Sequence, residues 1–234
     1  MADSDKRRSV GRPHSAPEGG TGLREVIIAS CFKALAMYGP LKFSLKDVAN
    51  LAGVSPASIY YYFGDKETLH RETIAFYYLP LMKRATEIIL GVDNPMELLV
   101  LLYLSIQEAT DADPNLLKMH VNETYQQGEV PYRSLYERYP LPSVETFLAK
   151  LKKGQEDGVL RPEIMSELMY LTLLGGALFG HGRVRQTEFV TRNKIDRKKA
   201  RDHFLYLFCL SVEGPKCDYD WRSIHFPNGM PGQR

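Results

Sequence analysis

The sequence predicts an all-α protein: a three-helix helix-turn-helix head near the N-terminus, followed by a larger helical C-terminal domain. Three observations lead there. Apolar residues recur at helical spacing from Leu23 onward, helix-capping residues stand just before these runs, and no strand signal interrupts the first four of them. Apolar residues make up 44% of the 234 and charged residues 25%, the balance of an ordinary globular chain.

Residues 1–20 read as a flexible basic tail, rich in Ser, Pro and Gly, with Lys6, Arg7, Arg8 and Arg12 as its cations. Gly11-Arg12-Pro13 suits either a basic arm laid in a minor groove or a simple solvated tail. From Leu23 to Tyr38, Ile28, Cys31, Phe32 and Leu35 fall at i, i+3, i+4 and i+7, one face of a helix that Gly39-Pro40 ends. Ser44 followed by Asp47 reads as a capping box, with Leu45, Val48, Ala49 and Ala52 on one face and Gly53 as the stop. Ser55 caps the next helix and Pro56 occupies its first position, where a missing N–H costs nothing. That helix runs to about Phe63. Gly64-Asp65 breaks it, and Lys66 opens a longer one through Leu69, Ile74, Tyr77, Tyr78 and Leu81 toward Ile89.

Beyond Gly91, helices are expected around 94–110, 114–127, 142–157, 163–181 and 196–213, bounded by Pro and Gly punctuation. The segment from Lys216, which holds Trp221, is expected to be irregular and laid on the surface. These boundaries divide the chain into a tail (1–20), a helix-turn-helix unit (21–68), a helical body (69–214) and a C-terminal tail (215–234).

Composition narrows the function classes. Cys31, Cys209 and Cys217 are odd in number, widely spaced and outside any CxxC pattern, which argues against disulfides and thiolate metal sites. Residues 1–20 lack the apolar core of a secretory signal, so a cytoplasmic location is expected. The apolar run Leu168–Phe179 falls short of the ~20 residues of a membrane span, and no membrane partner is expected. Net charge is +2, which excludes a strongly basic nucleic-acid coat. Residues 1–90 carry 12 Lys and Arg against 9 Asp and Glu, a mild lean only. Catalytic signatures such as GxSxG, HExxH, a Walker loop or a dinucleotide fingerprint are missing. His120 and Glu123 form a lone HxxE, at most one metal-ligand or acid–base pair. No cofactor or metal is expected.

The capped helix pair across Gly53 makes a helix-turn-helix whose second member can lie in a major groove. Ser55-Pro56-Ala57-Ser58 supplies a small-residue tip, and Ile59 and Phe63 anchor it. Pro56, Ala57, Tyr60 and Tyr61 point away from the packed face, while Tyr62 lies nearer the core and is given a backbone or packing role. Phenol hydroxyls donate to phosphate oxygens and ring edges meet thymine methyls. Lys66, at a helix start, and Lys46, in the first turn of the supporting helix, are the cationic candidates for phosphate or guanine.

Phe43-Ser44-Leu45-Lys46-Asp47-Val48-Ala49, Ala52-Gly53-Val54-Ser55 and Ile59-Tyr60-Tyr61-Tyr62-Phe63-Gly64-Asp65-Lys66-Glu67, with their gap lengths, closely resemble the signature of tetracycline-repressor-type (TetR) regulators. The resemblance spans roughly residues 24–75. It implies an N-terminal DNA-binding unit, an all-helical ligand-binding and dimerisation domain, a homodimer, and repression relieved by a small molecule. It assigns base or phosphate contact to Lys46, Pro56, Ala57, Ser58, Tyr60, Tyr61 and Lys66. Phe43, Pro56-Ala57 and Tyr61 depart from the common pattern, so the operator sequence does not follow from relatives.

The resemblance also places the dimer interface on the helices near 163–181 and 196–213. The first is apolar on nearly every side and is expected to be buried all round, while the second sets Phe204, Leu207, Phe208 and Ser211 on one face. Tyr77, Tyr103, Met119, Tyr125, Phe147, Met169 and Tyr170 are the candidates to line an effector pocket, although aromatics at this spacing also simply fill cores. The expected function is a DNA-binding repressor released from a palindromic operator by a small, largely apolar effector. The alternatives are a helical ligand-binding or protein-interaction module without specific DNA binding, and a helical enzyme.

Overall fold

A computed structural model describes residues 22–126 and 143–227 of the chain. The expected basic tail of residues 1–20 lies outside them. Ten helices are present among the described residues: α1 (Leu23–Tyr38), α2 (Leu45–Ala52), α3 (Pro56–Phe63), α4 (Lys66–Gly91), α5 (Pro95–Ala112), α6 (Pro114–Gln126), α7 (Ser143–Glu156), α8 (Ser166–Thr191), α9 (Arg197–Val212) and α10 (Trp221–His225). Their only β pairing is an isolated bridge between Leu160 and Glu213. None of the helices is long and apolar enough to cross a membrane.

Two apolar clusters organise these helices. The first gathers Ile27, Ile28, Cys31, Phe32 and Leu35 of α1 with Phe43, Val48, Ala49, Ile59, Phe63, Leu69 and Ile74, and with Leu116 and Met119 of α6. Each large side chain buried there contributes about 1.5–3 kcal/mol, an upper estimate that holds the short α2 and α3 in helical form. Neither helix is long enough to persist alone. The second cluster joins Ile88 and Ile89 of α4, most of the apolar face of α5, Phe147 and Leu151 of α7, Met169, Leu173 and Ala177 of α8, Leu205, Phe208 and Cys209 of α9, and Trp221.

Helix α4 belongs to both clusters. It continues past Pro80, which removes the donor for the Phe76 carbonyl, because Leu69 and Ile74 anchor one end and Ile88 and Ile89 the other. Two side-chain bonds tie it and its neighbours further: Lys150 Nζ donates to the Val92 carbonyl at 2.7 Å, and Arg24 pairs with Glu72.

Helix α8 starts at Ser166 and runs to Thr191, and within the single chain its neighbours cover one face of it. Met169, Leu173 and Ala177 are covered, whereas Leu168 is 49% and Leu171 60% exposed. An apolar helix at the margin of a bundle packs only the face its neighbours reach. The stretch after Lys216 is not an irregular surface tail: Trp221 opens a short helix and is fully buried. Its ring meets Tyr206 at 5.5 Å and Phe226 at 6.1 Å, and its Nε1–H donates to Glu213, which also takes the Arg222 guanidinium.

Candidate nucleic-acid interface and the core behind it

The α2–α3 pair is built by local chemistry. Asp47 N–H donates to Ser44 Oγ at 3.2 Å, and Ser44 N–H donates back to the Asp47 carboxylate at 2.9 Å, a reciprocal capping box. The Ser44 hydroxyl, then its N–H, hold the Asp47 carboxyl below the usual range. Gly53 takes the left-handed conformation at φ 67° that ends α2, a region where a Cβ is strained. Val54 N–H then closes on the Ala49 carbonyl at 3.0 Å. Ser55 Oγ accepts from Ser58 N–H at 3.2 Å and lies 2.9 Å from Ser58 Oγ, so both hydroxyls are engaged at the tip of α3.

Ile59 and Phe63 pin α3 from beneath, at 0% and 5% exposure. The opposite face is open. Pro56 and Ala57 are exposed, and Tyr60 and Tyr61 are 56% and 84% exposed. Tyr62, expected nearer the core, is the least open of the three tyrosines at 40%, and its ring meets Tyr61 edge-on at 5.3 Å. Lys46 is exposed on α2.

Lys66 is held more firmly than the sequence suggests. Its Nζ lies 4.3 Å from the centroid of the Phe43 ring, and the edge of the same ring faces His70 at 5.9 Å. Phe43 is thus a buried platform for the lysine at the start of α4, a role that its departure from the common pattern hid. Asp65 caps that helix by accepting Thr68 N–H at 2.6 Å, which lowers its carboxyl from the ordinary value.

Residues 27–73 match the family described as bacterial regulatory proteins, tetR family. They are a tetR-family domain. Over 127 residues the chain is 25% identical to the HTH-type transcriptional repressor KstR2 of Mycobacterium tuberculosis, a stretch covering 54% of this chain and 64% of that protein. The chain therefore spans less than two thirds of the curated relatives it matches first. The solved structure of the ketosteroid transcriptional regulator KstR2 of M. tuberculosis is similar at a TM-score of 0.62 and 20% identity, covering 83% of this chain and 96% of that one. FadR from Bacillus subtilis in complex with stearoyl-CoA is similar at 0.56 and 19%, covering 81% and 99%. These likenesses carry the fold: a helix-turn-helix followed by a helical C-terminal region, as the sequence predicts.

The tetR-family domain is bound to the rest of the chain chiefly through α6. Asn122 Nδ2 donates to the carbonyls of Leu35 and Ala36 at 3.0 and 3.2 Å, satisfying the end of α1. His70 Nε2 donates to Glu123 Oε1 at 2.7 Å. The two members of the HxxE have separate partners: Glu123 serves His70, and His120 lies 3.5 Å from Tyr78 Oη. Among the described residues no group of three His, Cys, Asp or Glu is placed to hold a metal ion. Burial pushes the Cys31 and Cys209 thiols up to about 12, so both remain neutral.

The effector-pocket candidates are divided by the fold. Tyr77 stacks on Phe32 at 3.7 Å and Met119 is fully buried, both with the tetR-family domain. Tyr103, Phe147 and Met169 sit together in the second cluster, with Tyr170 packed edge-on against Phe147 at 5.6 Å. The Tyr125 side chain lies outside the described residues. Sequence reasoning missed Phe43, His70, Asn122 and Gln107. Only the last carried a local signal, a polar residue on the buried face of α5.

Proposed function

We propose that the chain is a sequence-specific DNA-binding regulator, a repressor that leaves a palindromic operator when a small, largely apolar effector binds its helical body. The observation that carries this reading is α3: anchored by Ile59 and Phe63, it turns Pro56, Ala57, Tyr60 and Tyr61 outward from a rigidly capped turn. In a major groove the small tip approaches base edges, while Ser55, Ser58, Tyr60, Tyr61 and Tyr62, together with Lys46 and Lys66, meet phosphates and thymine methyls. The lysine lodged over Phe43 presents its charge from a fixed position. The role named for KstR2 and the acyl-CoA bound by FadR support a ligand-released repressor.

A homodimer is part of the reading. Leu168, Leu171 and Gly175 of α8 form an open stripe beside Phe204 and Leu207 of α9, which are 36% and 47% exposed. Two copies pairing these helices around a two-fold axis bury that stripe and set two α3 helices about 34 Å apart, one turn of DNA. Residues 21–68 act as the reader and 69–214 as the sensor. Helix α4 contributes to both clusters, so an effector that favours one arrangement of the body moves the reader with it. The protein works in the cytoplasm and performs no catalytic step.

Selection of bound sites from a random DNA pool tests the reading. A palindromic enriched motif is expected. No enrichment over bulk DNA sinks it in favour of a helical binding module. Tyr60→Ala with Lys66→Ala is expected to abolish capture of the motif while the fold persists.

A further inference from the structure

Among the described residues, three buried side-chain atoms on α5 have no hydrogen-bond partner: Tyr103 Oη and both side-chain amide atoms of Gln107. The two residues stand at i and i+4 on α5, hence on one helix face, and are 0% and 1% exposed. Neighbouring hydroxyls do not relieve them. Ser105 Oγ donates to the Leu102 carbonyl at 2.8 Å, and Thr110 Oγ1 donates to the Ile106 and Gln107 carbonyls at 3.1 and 3.0 Å. Buried groups left unmet are rare in native cores and call for a partner.

The phenol is held in place. Its ring stacks on Phe208 of α9 at 5.9 Å, and on α8 it faces Gly176, where a Cβ would stand 3.1 Å from the ring and 3.6 Å from Oη. The glycine lets α8 approach the phenol closely without a side chain between them. Burial raises the Tyr103 pKa well above its ordinary value, so the group remains an O–H donor. The charges that act on it include Arg201 and Asp202, which pair with each other at 3.2 Å.

We propose that the Tyr103–Gln107 face of α5 is the recognition point for the oxygen of an uncharged, apolar effector, a carbonyl or hydroxyl group on a hydrocarbon skeleton. Tyr103 O–H and Gln107 Nε2–H donate to a carbonyl oxygen, and Gln107 Oε1 accepts from a hydroxyl. Because the local charges are already paired, the site favours a neutral oxygen over a carboxylate. The inference rests on the effector reading above and names the chemistry that reading left open.

The test uses the full chain and four probes of one size: 4-phenyl-2-butanone, 4-phenyl-2-butanol, butylbenzene and 4-phenylbutanoate, with affinity measured by calorimetry. In the wild type the ketone and alcohol are expected to bind at least about ten times more tightly than butylbenzene or the carboxylate, the discrimination a site built for hydrogen bonds imposes. Gln107→Leu and Tyr103→Phe, which preserve volume, are expected to bring that ratio toward one with melting temperatures equal or higher. An equal ratio in the wild type, no binding of any probe, or a preference that survives both substitutions overturns the proposal; the last outcome leaves buried water as the partner of these atoms. A mobility shift on the selected operator separates this from the broader reading. Ketone that releases operator equally from wild type and both variants removes the site and keeps the effector reading. Ketone that binds through both residues but leaves operator affinity unchanged keeps the site and removes that reading.

Discussion

Glu123 on α6 accepts a 2.7 Å hydrogen bond from His70 Nε2 on α4, and its carboxylate is buried while the imidazole keeps an edge toward solvent. The two partners are therefore unequal. His70→Ala strands a buried carboxylate and is expected to cost about 3–5 kcal/mol, whereas Glu123→Ala leaves an imidazole that water can reach and should cost about 1–3 kcal/mol. Urea unfolding of both variants checks the order, and equal losses would show that the pair is not the tie between α4 and α6.

Burial lowers the His120 pKa below its ordinary 6.5. The unfolded chain thus takes up that proton first, so the stability from the neutral imidazole is complete above about pH 6.5 and declines as pH falls toward the depressed folded value. Wild-type stability is expected to drop between pH 7.5 and 5 more steeply than that of His120→Gln. Parallel slopes would contradict this account.

Asp47 and Asp65 carry the same sign at lower pH. Their carboxyls are depressed by the bonds they accept, Asp47 from Ser44 and Asp65 from Thr68. Their contribution is present above the unfolded carboxylate value of about 3.9 and is lost as pH falls through the lower folded values. Ser44→Ala should lower the urea midpoint at pH 7, and its difference from wild type should shrink at pH 3. A constant difference would place the serine's effect outside the capping box.

Tyr61 and Ile59 stand two residues apart on α3 with opposite duties. Tyr61→Ala removes an 84% exposed ring and is expected to weaken operator binding by about 1–3 kcal/mol with the melting temperature unchanged. Ile59→Ala opens a hole in the first cluster and should cost about 2–5 kcal/mol of stability. Titration by fluorescence anisotropy and thermal unfolding separate the two effects.

The open stripe on α8 and α9 predicts a change of mass. Leu171→Glu with Leu207→Glu places carboxylates on side chains 60% and 47% exposed in the single chain, so the fold should survive while the dimer does not. Sedimentation velocity is expected to report a monomer for this variant and a dimer for the wild type.

Legibility followed the range of the interactions. Ser44, Gly53, Ser55, Pro56 and Asp65 act on backbone groups within five residues, so caps, stops and the order of helices could be read directly. Burial along α1 followed from periodicity for the same reason, since Ile28, Cys31, Phe32 and Leu35 share a face whatever they pack on. Along α8 periodicity was silent on which side the rest of the chain covers, because apolar residues stand on every side. Trp221 was misread because Pro and Gly around it suggested a loop, while its place depended on Tyr206, Phe226 and Glu213.

By itself, then, the sequence determined the all-helical class and the helix-turn-helix between Ser44 and Lys66, whose geometry is settled by hydrogen bonds local along the chain. Tertiary structure alone decided that Lys66 rests on Phe43, that Glu123 answers His70 and not His120, and that the polar atoms of Tyr103 and Gln107 are enclosed with no partner among the described residues. Such pairings join residues up to 53 positions apart. Nothing in the local chain specifies them, because they arise from the packing that brings α1, α4 and α6 together and encloses α5 between its neighbours.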